Sequence, residues 1–359
     1  MSQERIFLMA GGGTGGHVIP ALAVARELRS LGERVLFTGT RQGLEARLVP
    51  ADGFPMAWVE IGGLKRVGLR RAIRTLWQLP REVLKMYGML HRRRGVAAVF
   101  SMGGYAAGPA VLAACLRGTP LVIMEPNAMP GLTNRRVAGR VARALLSFPE
   151  AARWFPADRV EITGLPVREE FFRLPPKPRG DPVTVLITGG SQGSRRLNVA
   201  ARESWPWFRG AASRVRFLHQ TGEAMAAEWR DAFSASGLEG EITPFLADMP
   251  AAFASADLVV CRAGAGAVAE LAAAGKPSLL TPFPFAADQH QLRNAQAMEA
   301  AGAARLVPDA ELTGERLFRE VTALVSEPGA LERMGKAARA VARPGAARRA
   351  AQVLREVAR

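Results

Sequence analysis

Short apolar runs recur along the 359 residues, each closed by glycine or another turn signal and followed by apolar positions at helical spacing. The first run is Ile6-Phe7-Leu8-Met9-Ala10. A glycine-rich turn, 11-GGGTGGHVIP-20, follows it, and from Pro20 to Leu31 the residues Leu22, Val24, Leu28 and Leu31 fall on one helical face. The same reading predicts strands near 35–38, 57–61, 97–101, 121–124, 144–147 and 160–162. In the second half it predicts them near 183–188, 215–219, 241–243, 258–260, 278–281 and 304–307. Strands that alternate with helices imply parallel sheets covered on both faces. The opening pattern returns at 183-VTVLITGGSQGSRR-196, with a helix expected from about Arg195. The intervening 163-TGLPVREEFFRLPPKPRGDP-182 has five prolines and no sustained period, which is linker composition. The expectation is therefore an α/β protein of two doubly wound domains facing each other across a cleft, with ligands at the carboxyl ends of the strands.

Two more glycine turns follow predicted strands, 102-MGGYAAGP-109 and 262-RAGAGAVAE-270. A helix start offers unpaired N–H groups and a positive dipole end, and glycine lets an anion approach the backbone. Four such turns in one chain point to several anion sites converging on one cleft. Gly11, Gly13 and Gly16 satisfy G-x-G-x-x-G, but the second strand ends in Thr38-Gly39-Thr40-Arg41 with no carboxylate for a ribose. A dinucleotide reading would have to rest on NADP and Arg41. An NTPase loop fits worse, because His17-Val18 stands where Lys-Ser/Thr is required.

Composition is ordinary for a globular protein, with 48% hydrophobic and 22% charged residues. Cys115 and Cys261 fit no redox or metal spacing, which suits a reducing compartment. MSQER runs directly into a strand without a signal peptide, and no apolar stretch approaches the ~20 residues that span a bilayer. A cytosolic protein is expected. Charge changes the picture more. Of a net +16, residues 1–163 carry 23 basic against 11 acidic residues, and 164–359 carry 25 against 21. The stretch 64-LKRVGLRRAIRTLWQLPREVLKMYGMLHRRR-94 holds ten basic residues and one acid. Within it Leu69, Ile73, Leu76 and Trp77 share one helical face, while Arg70, Arg71 and Arg74 lie towards the other. This is the pattern of a helix resting on anionic lipid, its plainer alternative being a core helix with a solvated basic face. No RNA-binding aromatic motif, zinc module or basic zipper supports nucleic acid as a partner.

The chain has no D-x-D, no H-E-x-x-H and no G-x-S-x-G, and His17, His91, His219 and His290 show no ligand spacing. Metal catalysis is unsupported, and no cofactor is implied. What remains is a set of glycine turns with Arg168, Ser191, Glu270 and Gln289-His290-Gln291. Amides, a hydroxyl and an arginine can bind a diphosphate, a carboxylate can accept ribose hydroxyls, and glutamine can read sugar hydroxyls.

MAGGGTGGHVIPALAVA, SMGGYAAGPA, GLTN, GGSQGS, FLADM, CRAGAGAVAELAAAGKPSLLTPFPFAADQHQLRNA and the tail helix together resemble the MurG family. The likeness runs in order over nearly the whole chain. It implies the two-domain GT-B fold and metal-independent, inverting transfer of N-acetylglucosamine (GlcNAc). The donor is UDP-GlcNAc, and the acceptor is the N-acetylmuramoyl (MurNAc) C4 hydroxyl of lipid I. The product is lipid II for peptidoglycan, made at the cytoplasmic membrane face, with other cell-wall synthesis proteins as partners. Residues 1–163 would be the acceptor and membrane-associating domain and 164–340 the donor domain. A helix at about 341–359, after a break at Pro344-Gly345, would pack back on the first.

By position, the resemblance puts uracil at Leu246, the ribose at Glu270 and the diphosphate at the helix start Ala265, Gly266, Ala267, Val268 and Ala269. Ser191 and Arg168 would steady the phosphates and Gln291 would contact GlcNAc, with Thr14, Gly15, Gly16 and Asn127 completing the pocket. The turns holding Gly13 and Gly103, Gly104, Tyr105 would accept the lipid I pyrophosphate, beside the basic helix. His17 is the expected general base, kept neutral by its helix N-terminus. Its alternatives are an orienting role for His17 and Glu125 as the base. The family often shows H-E-Q-N, G-N-P-V-R and R-S-G-x-x-T. This chain has Met124-Glu125-Pro126-Asn127, Gly164-Leu165-Pro166-Val167-Arg168 and Arg262-Ala263-Gly264-Ala265-Gly266-Ala267 there. Two other classes share the fold, UDP-GlcNAc 2-epimerases and glycosyltransferases with soluble acceptors.

Overall fold

The computed structural model describes residues 5–62, 69–92, 96–178, 180–211 and 215–358, with the side chains of 69–76 and 92 outside that description. The chain divides into two compact units, Met1–Val167 with Gly345–Arg359, and Arg168–Pro344.

The first unit holds seven strands: β1 (Ile6–Gly11), β2 (Arg34–Gly39), β3 (Met56–Trp58), β4 (Val96–Gly103), β5 (Leu121–Glu125), β6 (Arg143–Leu146) and β7 (Val160–Ile162). They pair in parallel in the order β3-β2-β1-β4-β5-β6-β7. The second holds six: β8 (Val183–Thr188), β9 (Val215–Gln220), β10 (Glu239–Thr243), β11 (Leu258–Cys261), β12 (Ser278–Leu280) and β13 (Ala304–Leu306). Their order, again all parallel, is β10-β9-β8-β11-β12-β13. Every apolar run marked in the sequence is one of these strands. Because helices cover both faces, Phe7, Leu8, Met9 and Ala10 are all buried, and the central strands read as unbroken apolar runs rather than alternating ones.

The order reverses between β1 and β4 in one sheet and between β8 and β11 in the other. Those are the switch points where doubly wound sheets bind ligands, beyond the strands' carboxyl ends. The four glycine turns follow those four strands. Topology thus explains why the glycines cluster where they do.

The first helix differs from the sequence expectation. It begins at Gly15, not near Pro20, and runs to Ser30 with Thr14 as its N-cap. The N–H groups of His17 and Val18 both donate to the Thr14 carbonyl, at 3.1 and 3.2 Å. His17 therefore stands inside the first helical turn, and Gly15 and Gly16 are helical residues.

The basic segment forms the helix Leu69–Arg92. The expected face residues Leu69, Ile73 and Leu76, and Arg70 and Arg74 opposite, have side chains outside the described set. Further along, Val83, Met86 and Leu90 point into the core, spaced three and four apart, while Trp77 (80% exposed), Leu84 (70%) and Tyr87 form an outward apolar line. The helix is thus apolar on two sides.

At the end of the chain, helix Ala330–Val341 belongs to the second unit and helix Ala346–Val357 to the first. The latter packs on helix Gly15–Ser30 and buries Ala350, Ala351, Val353 and Leu354. Arg349 bridges Glu161 at 2.6 Å and Glu356 at 2.6 Å, and Arg355 reaches Glu33 at 3.0 Å.

Candidate active site

In the first unit the turns after β1 and β4 meet. A Cβ at Gly104 would lie 3.4 Å from the Gly12 carbonyl and 3.5 Å from the His17 ring, and one at Gly13 would lie 3.2 Å from the Tyr105 ring. Both glycines have positive φ, 80° and 88°, a conformation that glycine adopts without strain. Gly103, also at positive φ, packs against the Asn134 amide, whose atoms lie 3.2 to 3.5 Å from its added Cβ. Thr14 Oγ1 and His17 Nδ1 are 3.2 Å apart. His17, Thr14, Gly13, Gly104 and Tyr105, to which the sequence reading gave catalytic, donor and acceptor roles, are thus neighbours.

Glu125 has a different position from the one a base needs. It is 1% exposed, at the end of β5. Its Oε1 accepts the Asn127 N–H at 3.0 Å and Asn127 Nδ2 at 3.2 Å; its Oε2 accepts Gly131 N–H at 3.0 Å and Asn134 Nδ2 at 2.8 Å. Burial raises its pKa, opposed by these donors, Asn134 first. With both oxygens engaged, Glu125 holds the 126–131 loop and offers no lone pair to an acceptor. The base reading rests on His17. Asn127 shares that loop and is tied to Glu125 through both its amides.

Sequence reasoning missed Glu45. It starts helix Glu45–Ala51 and is fully buried. Its Oε2 accepts the Gly13 N–H at 2.7 Å, and its Oε1 accepts both the N–H and the hydroxyl of Thr40 at 2.9 Å. A Cβ at Gly12, Gly39 or Gly43 would overlap this side chain. The Gly13 amide is therefore already occupied. That corrects the expectation that it cradles a pyrophosphate.

In the second unit the turn 189–193 is welded to its neighbour by backbone. A Cβ at Gly193 would overlap the Thr221 carbonyl, and one at Gly222 the Gln192 carbonyl. Gln220 Nε2 donates to the Gly190 carbonyl at 3.0 Å while its Oε1 accepts the Thr188 hydroxyl at 2.6 Å. The exposed Ser191 stands on this rigid turn. After β11, Gly264 caps helix Ala265–Ala274, so the N–H groups of Ala265, Gly266 and Ala267 are the free ones of its first turn. Val268 is buried beneath them; Ala269 and Glu270 are half-buried. Burial pushes the Glu270 carboxyl up to about 7, against the pull of the Arg168 charge. Arg168 itself is exposed, its guanidinium 5.0 Å from the Phe171 ring centre. Leu246 is half-buried beside the exposed Phe245.

A cavity of about 590 Å³ adjoins the turn, lined among others by Gly193, Arg195, Arg196, Arg262, Phe283 and Gln291. Gln291 Oε1 accepts the Phe283 N–H at 2.9 Å, which leaves its NH2 to donate. His290 donates through Nδ1 to the Ala287 carbonyl at 2.6 Å. Just before it Asp288 and Gln289 both have positive φ, 50° and 54°, a strain of the kind that collects at functional loops. Arg262, which carried no role in the sequence, is the hub: it reaches Asp309 at 2.5 Å, Ser194 Oγ at 3.0 Å and the Thr281 and Pro282 carbonyls. Glu270, Arg168, Leu246 and residues 265–269 do not line this cavity.

Residues 7–146 match the family model for the glycosyltransferase family 28 N-terminal domain, and residues 184–351 that for its C-terminal domain. Over 353 residues the chain is 64% identical to the UDP-N-acetylglucosamine–N-acetylmuramyl-(pentapeptide) pyrophosphoryl-undecaprenol N-acetylglucosamine transferase of Solibacter usitatus, covering 98% of this chain and 96% of that one. The protein of that description from Anaeromyxobacter dehalogenans (strain 2CP-1) is 43% identical, over 92% and 87% of the two chains. The crystal structure of Acinetobacter baumannii MurG superposes with a TM-score of 0.83 at 31% identity, covering 98% and 99%. The chain belongs to the MurG family. The two parallel sheets are its GT-B fold, and the four glycine turns sit in the part of the chain that the Solibacter MurG relative covers. A kitacinnamycin glycotransferase, at 19% identity and a TM-score of 0.74, shares the fold alone with this MurG-family chain.

Proposed function

We propose that this protein transfers GlcNAc from UDP-GlcNAc to the C4 hydroxyl of MurNAc in lipid I, making lipid II for peptidoglycan. The reading is carried by 64% identity across 98% of the chain to a transferase named for that donor sugar and acceptor. In the productive tautomer the His17 proton sits on Nδ1 and is donated to Thr14 Oγ1, so that Nε2 is the basic nitrogen towards the C4 hydroxyl. That oxygen attacks the anomeric carbon as Nε2 takes its proton. The bond to the diphosphate breaks on the opposite side, its electron pair leaves with UDP, and the anomeric centre inverts. Amides of Ala265, Gly266 and Ala267, with Ser191 and Arg168, stabilise the departing diphosphate without a metal. Glu270 takes the ribose hydroxyls, Leu246 the uracil, and Gln291 donates to the sugar. Thr14, Gly15, Gly16 and Asn127 are the further residues assigned to donor binding in this reading.

Glu270 sets a pH dependence. Its ionised form accepts both ribose hydroxyls, and with a carboxyl pushed up to about 7 it is protonated as pH falls through neutrality. UDP-GlcNAc, whose diphosphate diester has no group titrating there, is expected to bind roughly tenfold more weakly at pH 6 than at pH 8. Glu270→Gln should flatten that profile; calorimetric titration across the range checks it. For stability the sign is opposite: a raised carboxyl disfavours folding above its ordinary range, so this contribution is lost as pH rises from 4.5 towards 7.

We assign the enzyme to the cytoplasmic face of the membrane as a peripheral protein. Among the described residues no helix is long and apolar enough to cross a bilayer, and the outward line Trp77, Leu84, Tyr87 lies on the basic helix Leu69–Arg92. One experiment tests acceptor and membrane together. Labelled UDP-GlcNAc is supplied with lipid I in phosphatidylglycerol vesicles, or with a water-soluble short-chain analogue, in chelator. Labelled disaccharide product is expected with both. A Trp77→Glu, Leu84→Glu double variant should keep turnover on the soluble analogue and lose about tenfold or more on vesicles. No product with either acceptor, while UDP binds, would remove the assignment.

A further inference from the structure

The geometry points to Glu45 as the positioning residue of the first glycine turn, and to that turn as the seat of an uncharged, hydroxyl-bearing part of the acceptor rather than its diphosphate. The inference deepens the transferase reading and rests on it. A glycine turn before a helix binds a phosphate when its N–H groups are free and no negative charge lies close by. Here the second condition fails, and the first fails at Gly13. The Gly13 N–H is committed to Glu45 at 2.7 Å. The carboxylate beneath the turn is completely buried, and among the described residues no lysine or arginine pairs with it. A second, doubly charged group seated on the turn would face that charge across low-dielectric protein.

The rim agrees. Ile19, Leu44 and Tyr105 are all exposed around the turn. A Cβ at Gly15 would lie 3.5 Å from Ile19 and 3.8 Å from Leu44. The Tyr105 ring stands over Gly13, and Thr14 and His17 supply the polar atoms. An aromatic face with apolar walls and one hydroxyl–imidazole pair suits the C–H faces and hydroxyls of a sugar ring. The glycines at 12, 39 and 43 exist to admit the carboxylate, not a ligand, because each added Cβ would collide with Glu45.

Steady-state kinetics of Glu45→Gln and Glu45→Asp test this. The amide would turn an NH2 towards either the Gly13 or the Thr40 N–H, and the shorter acid cannot span both. In each variant the acceptor KM is expected to rise at least about tenfold, with kcat within about threefold and UDP affinity within about twofold. Inorganic pyrophosphate, tested as an inhibitor competing with the acceptor, should be no more potent against Glu45→Gln than against the wild type. A lower acceptor KM, or pyrophosphate inhibition strengthened threefold or more, would overturn the inference, since removing a charge beneath a pyrophosphate cradle must tighten it. Should the variants fail to fold, the wild-type protein decides. Its Gly13 amide resonance should shift with the methyl glycoside of N-acetylmuramoyl-alaninamide and stay still with pyrophosphate; the reverse pattern refutes the assignment. Failure of the transferase reading is distinct, because the wild type would then form no labelled product.

Discussion

His17→Ala is expected to lower kcat by about 10²- to 10⁴-fold with UDP-GlcNAc affinity unchanged within twofold. The magnitude is that of removing a placed general base. His17 occupies the third position of the helix Gly15–Ser30, with its ring 3.2 Å from Thr14 Oγ1 and in van der Waals reach of Gly104. Helical backbone and turn packing together limit where the imidazole can go. Glu125 does not substitute for it, because it is saturated by four donors beneath its loop. Single-turnover rates at saturating acceptor, combined with UDP titration, separate chemistry from binding. An unchanged single-turnover rate would leave His17 as an orienting residue only.

Gly193→Ala is expected to have the largest effect on stability. Gly193 has φ +71°, which costs a residue with a Cβ about 1 kcal/mol, and the added methyl overlaps the Thr221 carbonyl. Backbone on both sides cannot yield as a flexible side chain would. The expected total is about 3–5 kcal/mol, or a melting temperature of the second unit lower by roughly 10 °C. Gly190→Ala is the internal comparison. It too has positive φ, +83°, but nothing lies within 4 Å of its added Cβ, so only the conformational cost of about 1 kcal/mol applies. Calorimetric melting of both variants measures the difference; equal shifts would contradict this account of the turn.

The strands were legible because each is covered on both sides and therefore apolar throughout, as in Ile6–Ala10 and Val183–Ile187. The glycine turns were legible because positive φ and close backbone approach leave few residue choices. The start of the first helix was not. Gly15 and Gly16 are poor helix formers, and only tertiary context keeps them helical. Glu45 and Arg262 were invisible for another reason. A lone glutamate in Leu44-Glu45-Ala46-Arg47 looks like a solvated helix face, and its three glycine neighbours lie 33, 6 and 2 residues away. Arg262 draws its partners from β8's turn, from β12's end and from Asp309, none of them near in sequence. The Trp77–Leu84–Tyr87 line was read only in part, since the predicted face started from the helix's first half.

The helix Ala346–Val357 closes a unit that begins at the other end of the chain. During synthesis the ribosome must therefore finish the whole of residues 168–344 before the groove beside Gly15–Ser30 receives Val353 and Leu354. The emerging protein passes through a stage in which its later sheet is complete and its earlier one still lacks a wall, so the order of maturation runs against the order of translation.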